Sequence, residues 1–85
     1  MTEIDIKGKR FAITGTLPIV RAAAVAKLEN KGGIYQSRVT RDTDYLIVGE
    51  LSKVSHKIER AQKLQQAGHR LIMVDGDVLF PGNSY

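Results

Sequence analysis

Phe11-Ala12-Ile13-Thr14-Gly15-Thr16 is the segment on which both fold and function turn. It is preceded by Lys7, Lys9 and Arg10, runs apolar and β-prone, and stops on a hydroxyl residue and a glycine. An alanine-rich helical pattern follows from Arg21. Strand, tight glycine turn and helix form the order in which α/β proteins bind anions, because backbone N–H groups and a helix N-terminus then converge on the ligand. Thr14-Gly15 is therefore read as part of a phosphate-binding site.

Outward from that segment the chain alternates between strand and helix patterns. Arg21 to Asn30 reads as a helix with Ala24, Val25 and Leu28 on one face, closed by Lys31-Gly32-Gly33. Ile34 to Val39 reads as a short strand, Thr40 to Asp44 as a polar turn, and Tyr45-Leu46-Ile47-Val48 as a continuous apolar strand buried on both faces of a parallel sheet. Glu50 to Ser55 is a loop. His56 to Ala67 is a second helix, with Ile58, Ala61 and Leu64 on its inner face and Gly68 at its end. Arg70 to Val74 is a fourth strand, followed by Asp75-Gly76-Asp77 and a helical start at Val78-Leu79-Phe80 that Pro81-Gly82 breaks. Such alternation argues for an α/β layer fold with right-handed crossovers. Between strands two and three the connection is too short for a helix, so local physics allows a hairpin there as readily as a parallel arrangement.

Composition narrows the function classes. Eighty-five residues make one domain with a small core. The absence of cysteine excludes a disulfide framework and a thiolate metal site, and no apolar run approaches the ~18 residues of a membrane span. Glu3 and Asp5 stand where a signal peptide needs an apolar region, so an intracellular domain is expected. The net charge of +4 leans towards an anionic partner, and Lys53, Lys57, Arg60 and Lys63 concentrate positive charge around the second helix. Catalysis finds little support. His56 and His69 have no carboxylate at ligand or triad spacing, Asp75-Gly76-Asp77 lacks the remaining oxygens of a metal loop, and there is no nucleotide-hydrolysing P-loop. No catalytic residue, metal or cofactor is expected.

Four motifs in the same order and spacing resemble a BRCT domain: Phe11 to Leu17, Gly32-Gly33, Thr43-Asp44-Tyr45-Leu46-Ile47-Val48-Gly49, and Lys57 to Ala61 with Gly68 beyond. The Thr-Gly-Thr-Leu-Pro version is similar to that of bacterial NAD-dependent DNA ligases and of the large subunit of eukaryotic clamp loaders. The resemblance covers about residues 8 to 80. It implies an N-terminal extension over 1–7, the domain over 8–80 and a C-terminal tail over 81–85. It also implies a four-stranded parallel sheet in the order 2-1-3-4, flanked by helices, which separates strands two and three and removes the hairpin. The chain departs from the family in having no Trp, with Phe80 in its place and a short or truncated third helix.

In that topology the ends of strands one and three, Thr14-Gly15 and Val48-Gly49, meet at the switch point where open α/β sheets bind ligands. Phosphate-binding members of the family carry a Ser or Thr and a Gly after strand one and a Lys in the second helix, which Thr14, Gly15 and Lys57 match; Arg21 aligns with an Arg of the DNA-binding subgroup. Thr16 adjoins them, and Lys53 and Arg60 are candidates for further contacts along a DNA backbone. The same residues admit a plainer reading, in which Thr14 caps a turn, Gly15 permits it, and Lys57 and Arg21 are solvated surface. The resemblance implies a non-enzymatic module of DNA replication or repair that binds a 5′-phosphorylated end or a nicked duplex. Its setting is cytoplasmic and nucleoid-associated in a bacterium, or nuclear in a eukaryote. A phosphate-independent protein-interaction module is the alternative, and phosphopeptide binding ranks last because a single unit lacks the second repeat.

Overall fold

The computed structural model describes residues 4–80. The expected tail, with its Pro81-Gly82 break, and the first three residues of the extension lie outside the described residues. Seven elements follow in the order β1 (Arg10–Thr14), α1 (Arg21–Asn30), β2 (Ile34–Tyr35), β3 (Tyr45–Val48), α2 (His56–Gln66), β4 (Ile72–Asp75) and α3 (Gly76–Leu79). The four strands pair in parallel in the order β2-β1-β3-β4, so β2 and β3 lie on opposite sides of β1 and no hairpin joins them. No described helix is long and apolar enough to cross a membrane.

Period-two alternation along β1 divides the core into two layers. Phe11 and Ile13 turn to one face, where they pack with Ala24 and Leu28 of α1, Ile47, Leu17, Ile6 and Phe80. Ala12 turns to the other face and packs with Leu46, Ala61 of α2, Val39 and Leu71. Helices α1 and α2 therefore cover opposite faces, and Thr14, in phase with Ala12, faces α2. Ile6 is buried in the first layer, and Phe80, just beyond α3, closes the same layer.

Two strands differ from expectation. β2 ends at Tyr35 rather than Val39. Its last ladder bond runs from Gln36 N to the Phe11 carbonyl, after which the chain turns into a loop stabilised by its own side chains. Thr43 Oγ1 donates to Gln36 Oε1 at 2.6 Å and accepts from Thr40 N at 2.8 Å. Val39 is thereby pulled out of strand pairing and buried under α2. β4 starts at Ile72 instead of Arg70, because the Leu71 carbonyl is held by Gln65 Nε2 of α2 at 2.7 Å.

Candidate phosphate-binding site

The ends of β1 and β3 are stapled by backbone alone. Thr16 N donates to the Glu50 carbonyl and Glu50 N to the Thr16 carbonyl, each at 2.8 Å, and Gly49 N donates to the Thr14 carbonyl at 2.8 Å. Such contact leaves no room for side chains at the crossing. A Cβ on Gly15 would lie 2.9 Å from the Gly49 and Glu50 backbone, and one on Gly49 would overlap the Thr16 carbonyl. Gly15 also has φ +81°, in the left-handed region that disfavours a side chain. Glycine at 15 is thus demanded by the fold, and its smallness also leaves its N–H open to approach. Among the described residues no hydrogen bond takes up that N–H.

Thr14 is almost fully buried, 8% exposed, and its Oγ1 shares a 2.7 Å hydrogen bond with Ser55 Oγ. Ser55 is the N-cap of α2, its Oγ accepting from Ile58 N at 3.2 Å. One proton thus runs between the two hydroxyls. When Ser55 donates it, the Thr14 O–H remains free to donate to an anion. Ser55 fastens the start of α2 to the end of β1, and it leaves the N–H groups of His56 and Lys57 without a partner among the described residues. Ser55 carries no local signal of this role. A serine directly before a helix signals a cap, but nothing local announces a partner forty-one positions away.

Arg21, the first residue of α1, reaches back to β1. Its Nη2 donates to the Gly15 carbonyl at 2.9 Å and its Nη1 approaches the Ile13 carbonyl at 3.4 Å. These two carbonyls face the side of β1 that β2 covers only as far as Tyr35, so the guanidinium substitutes for missing ladder partners. The remaining guanidinium N–H groups stay free for a ligand. Lys57, half-buried in the first turn of α2, has its pKa lowered below the ordinary lysine value by burial and then by the Arg21 charge. The two cations therefore lie close enough to repel one another. Among the described residues the one side-chain ion pair is between His56 and Glu59, 3.4 Å apart and exposed, so neither cation has a carboxylate partner there.

The structure brings Thr14, Gly15, Arg21 and Lys57 together at the switch point. Thr16 lines a hollow of about 360 Å³ with Gly15 and Arg21, while its backbone groups are spent on Glu50. Arg60 and Lys57 line a neighbouring groove, where Arg60 Nε donates to the Val39 carbonyl at 2.6 Å. Lys53 is exposed in the loop before α2 and lines neither hollow. Asp75 caps α3 by accepting from Asp77 N at 2.9 Å, and no group of three potential metal ligands occurs among the described residues.

The family model of the BRCA1 C Terminus (BRCT) domain matches residues 2–69. The chain is 47% identical over 60 residues to a DNA ligase of Synechococcus sp. (strain JA-2-3B'a(2-13)), a match covering 69% of this chain and 8% of that protein. It is 45% identical over 60 residues to a DNA ligase of Borrelia garinii subsp. bavariensis, covering 69% and 9%. Against a DNA ligase of Rubrobacter xylanophilus it is 42% identical over 62 residues, covering 73% and 9%. The chain spans less than a tenth of the length of these relatives.

Proposed function

The chain belongs to the BRCT family, and on that premise we propose a non-catalytic binding module of DNA replication and repair. It holds DNA through a phosphate, at a 5′-phosphorylated end or a nick, between Thr14-Gly15 and Lys57. One observation carries this reading: the start of α2, which bears Lys57, is bonded to Thr14 through Ser55, and Arg21 bonds the Gly15 carbonyl, so two cations without a carboxylate partner among the described residues stand around the open Gly15 N–H. A phosphate between them replaces repulsion with two attractions and accepts from Thr14, Gly15 and the first N–H groups of α2. The relatives' name, DNA ligase, supports a nucleic-acid phosphate as the ligand, and their bacterial sources favour a cytoplasmic setting.

The test is a titration with matched duplexes that differ only in a 5′-phosphate. The phosphorylated duplex binds more tightly, and Thr14→Ala or Lys57→Glu reduces it towards the level of the unphosphorylated one. Equal affinity of the intact chain for both duplexes contradicts end recognition.

A second reading, a phosphate-independent protein-interaction module, draws on Val20 and Val54, which are 72% and 71% exposed, and on the exposed Val78 of α3. On that reading Val54→Asp weakens partner binding and Lys57→Glu leaves it unchanged.

A further inference from the structure

Beside the phosphate site the fold holds a second basic surface in a fixed shape. The loop 36–43 is tied at several points: Val39 is buried against Ala61 and Leu71, Thr43 bridges Gln36 and Thr40, and Asp42 N donates to Thr40 Oγ1 at 3.2 Å. Arg60 Nε closes the loop onto α2 through the Val39 carbonyl. Ser37, Arg38 and Thr40 form one wall of a groove of about 420 Å³, and His56, Lys57 and Arg60 form the other.

Three of these six residues, Arg38, Lys57 and Arg60, are basic. Arg60 commits only Nε and keeps its terminal NH₂ groups free among the described residues. Thr40 Oγ1 accepts from Asp42 N and still has its own proton to give. The neighbouring acids, Asp42 and Glu59, are exposed, and Glu59 faces His56. The one lining residue with an apolar side chain, Val39, is 2% exposed, so what apolar surface the groove has comes mainly from the stems of its polar side chains. Lys57 lines the groove two residues after Ser55, whose Oγ bonds Thr14 Oγ1, so the groove begins beside the proposed phosphate site.

We infer that this groove is a second anion subsite, which takes the backbone phosphates of the same DNA strand next to the one held at Thr14-Gly15. The inference rests on the phosphate-site reading for its register, while the groove's own charges supply its affinity. Three basic side chains and two hydroxyls along one groove, with its only aliphatic residue buried, suit a repeated anion, which favours a nucleic-acid backbone over a peptide.

The experiment is Arg38→Gln in the whole chain, with affinities for 5′-phosphorylated and unphosphorylated duplexes measured across a salt series. Arg38 is exposed, and thermal unfolding checks that the variant stays folded. Both duplexes are expected to bind roughly tenfold more weakly. The slope of log affinity against log salt falls by about 1, and the preference for the 5′-phosphate is retained. Unchanged affinity and slope for both duplexes overturn the inference. So does loss confined to a phosphoserine peptide, with the duplexes unaffected. If the intact chain shows no 5′-phosphate preference while Arg38→Gln still weakens both duplexes, the end-recognition reading fails and the groove stands.

Discussion

The two faces of the sheet hold their helices by different means. On the α1 face the contact is apolar and bulky, with Phe11, Ile13, Leu28, Ile47 and Phe80 buried together. On the α2 face Ala12, Leu46, Val39 and Leu71 pack around Ala61, the one fully buried residue of its helix, with Ile58 and Leu64 only partly buried beside it. Directed polar links add to that packing at three heights: Ser55 to Thr14, Arg60 to the Val39 carbonyl, and Gln65 to the Leu71 carbonyl. A helix fastened by hydrogen bonds needs only a narrow apolar stripe, and the rest of its surface is free to carry charge. That is why the proposed ligand-binding cations Lys57 and Arg60 stand on α2, while α1 contributes only its first residue, Arg21.

The largest effect expected from breaking this contrast is on the apolar side. Phe11→Ala removes a wholly buried ring and lowers unfolding free energy by about 3–5 kcal/mol, read by urea denaturation. Ala61→Leu forces a branched side chain into the tight α2 contact and costs about 1–3 kcal/mol. A neutral result there means that the α2 face has slack. Ser55→Ala removes the cap and the Thr14 link together, for about 1 kcal/mol of stability, and weakens binding of a 5′-phosphorylated duplex as well. Stability loss with unchanged binding separates the cap from the site.

The smallest effect concerns pH, and its sign differs between stability and binding. The Lys57 pKa is lowered in the folded chain, so between that value and the ordinary lysine value the unfolded state binds more protons. Stability therefore gains from Lys57 as pH rises through this alkaline window. Phosphate affinity falls over the same window, because the ammonium is lost. Comparing wild type with Lys57→Gln isolates both trends, and each disappears in the variant.

Legibility from sequence followed the same division. α1 begins and ends at Arg21 and Asn30, and β3 spans Tyr45 to Val48, as local periodicity and terminal glycines indicate. β2 was overextended because its terminator is tertiary: the Arg21 guanidinium occupies β1 carbonyls that a longer strand would pair with, and Thr43 draws Gln36 into a loop. The groove is hidden for the same reason, since local pattern places Ser37 and Arg38 in a strand and Thr40 in a turn, while the fold makes them a wall facing α2. Thr14, Gly15 and Lys57 enter as proposed site residues through the family resemblance. Ser55, which joins two of the elements involved, was not, because its role depends on a side chain brought close only by the folded sheet.

The central claim is that a phosphate sits where β1, α1 and α2 converge, and backbone NMR during titration with a 5′-phosphorylated oligonucleotide tests it most directly. The largest amide shifts are expected at Thr14, Gly15, His56 and Lys57, reduced when the unphosphorylated oligonucleotide is used. Shifts confined elsewhere, or identical for the two oligonucleotides at those four residues, contradict it.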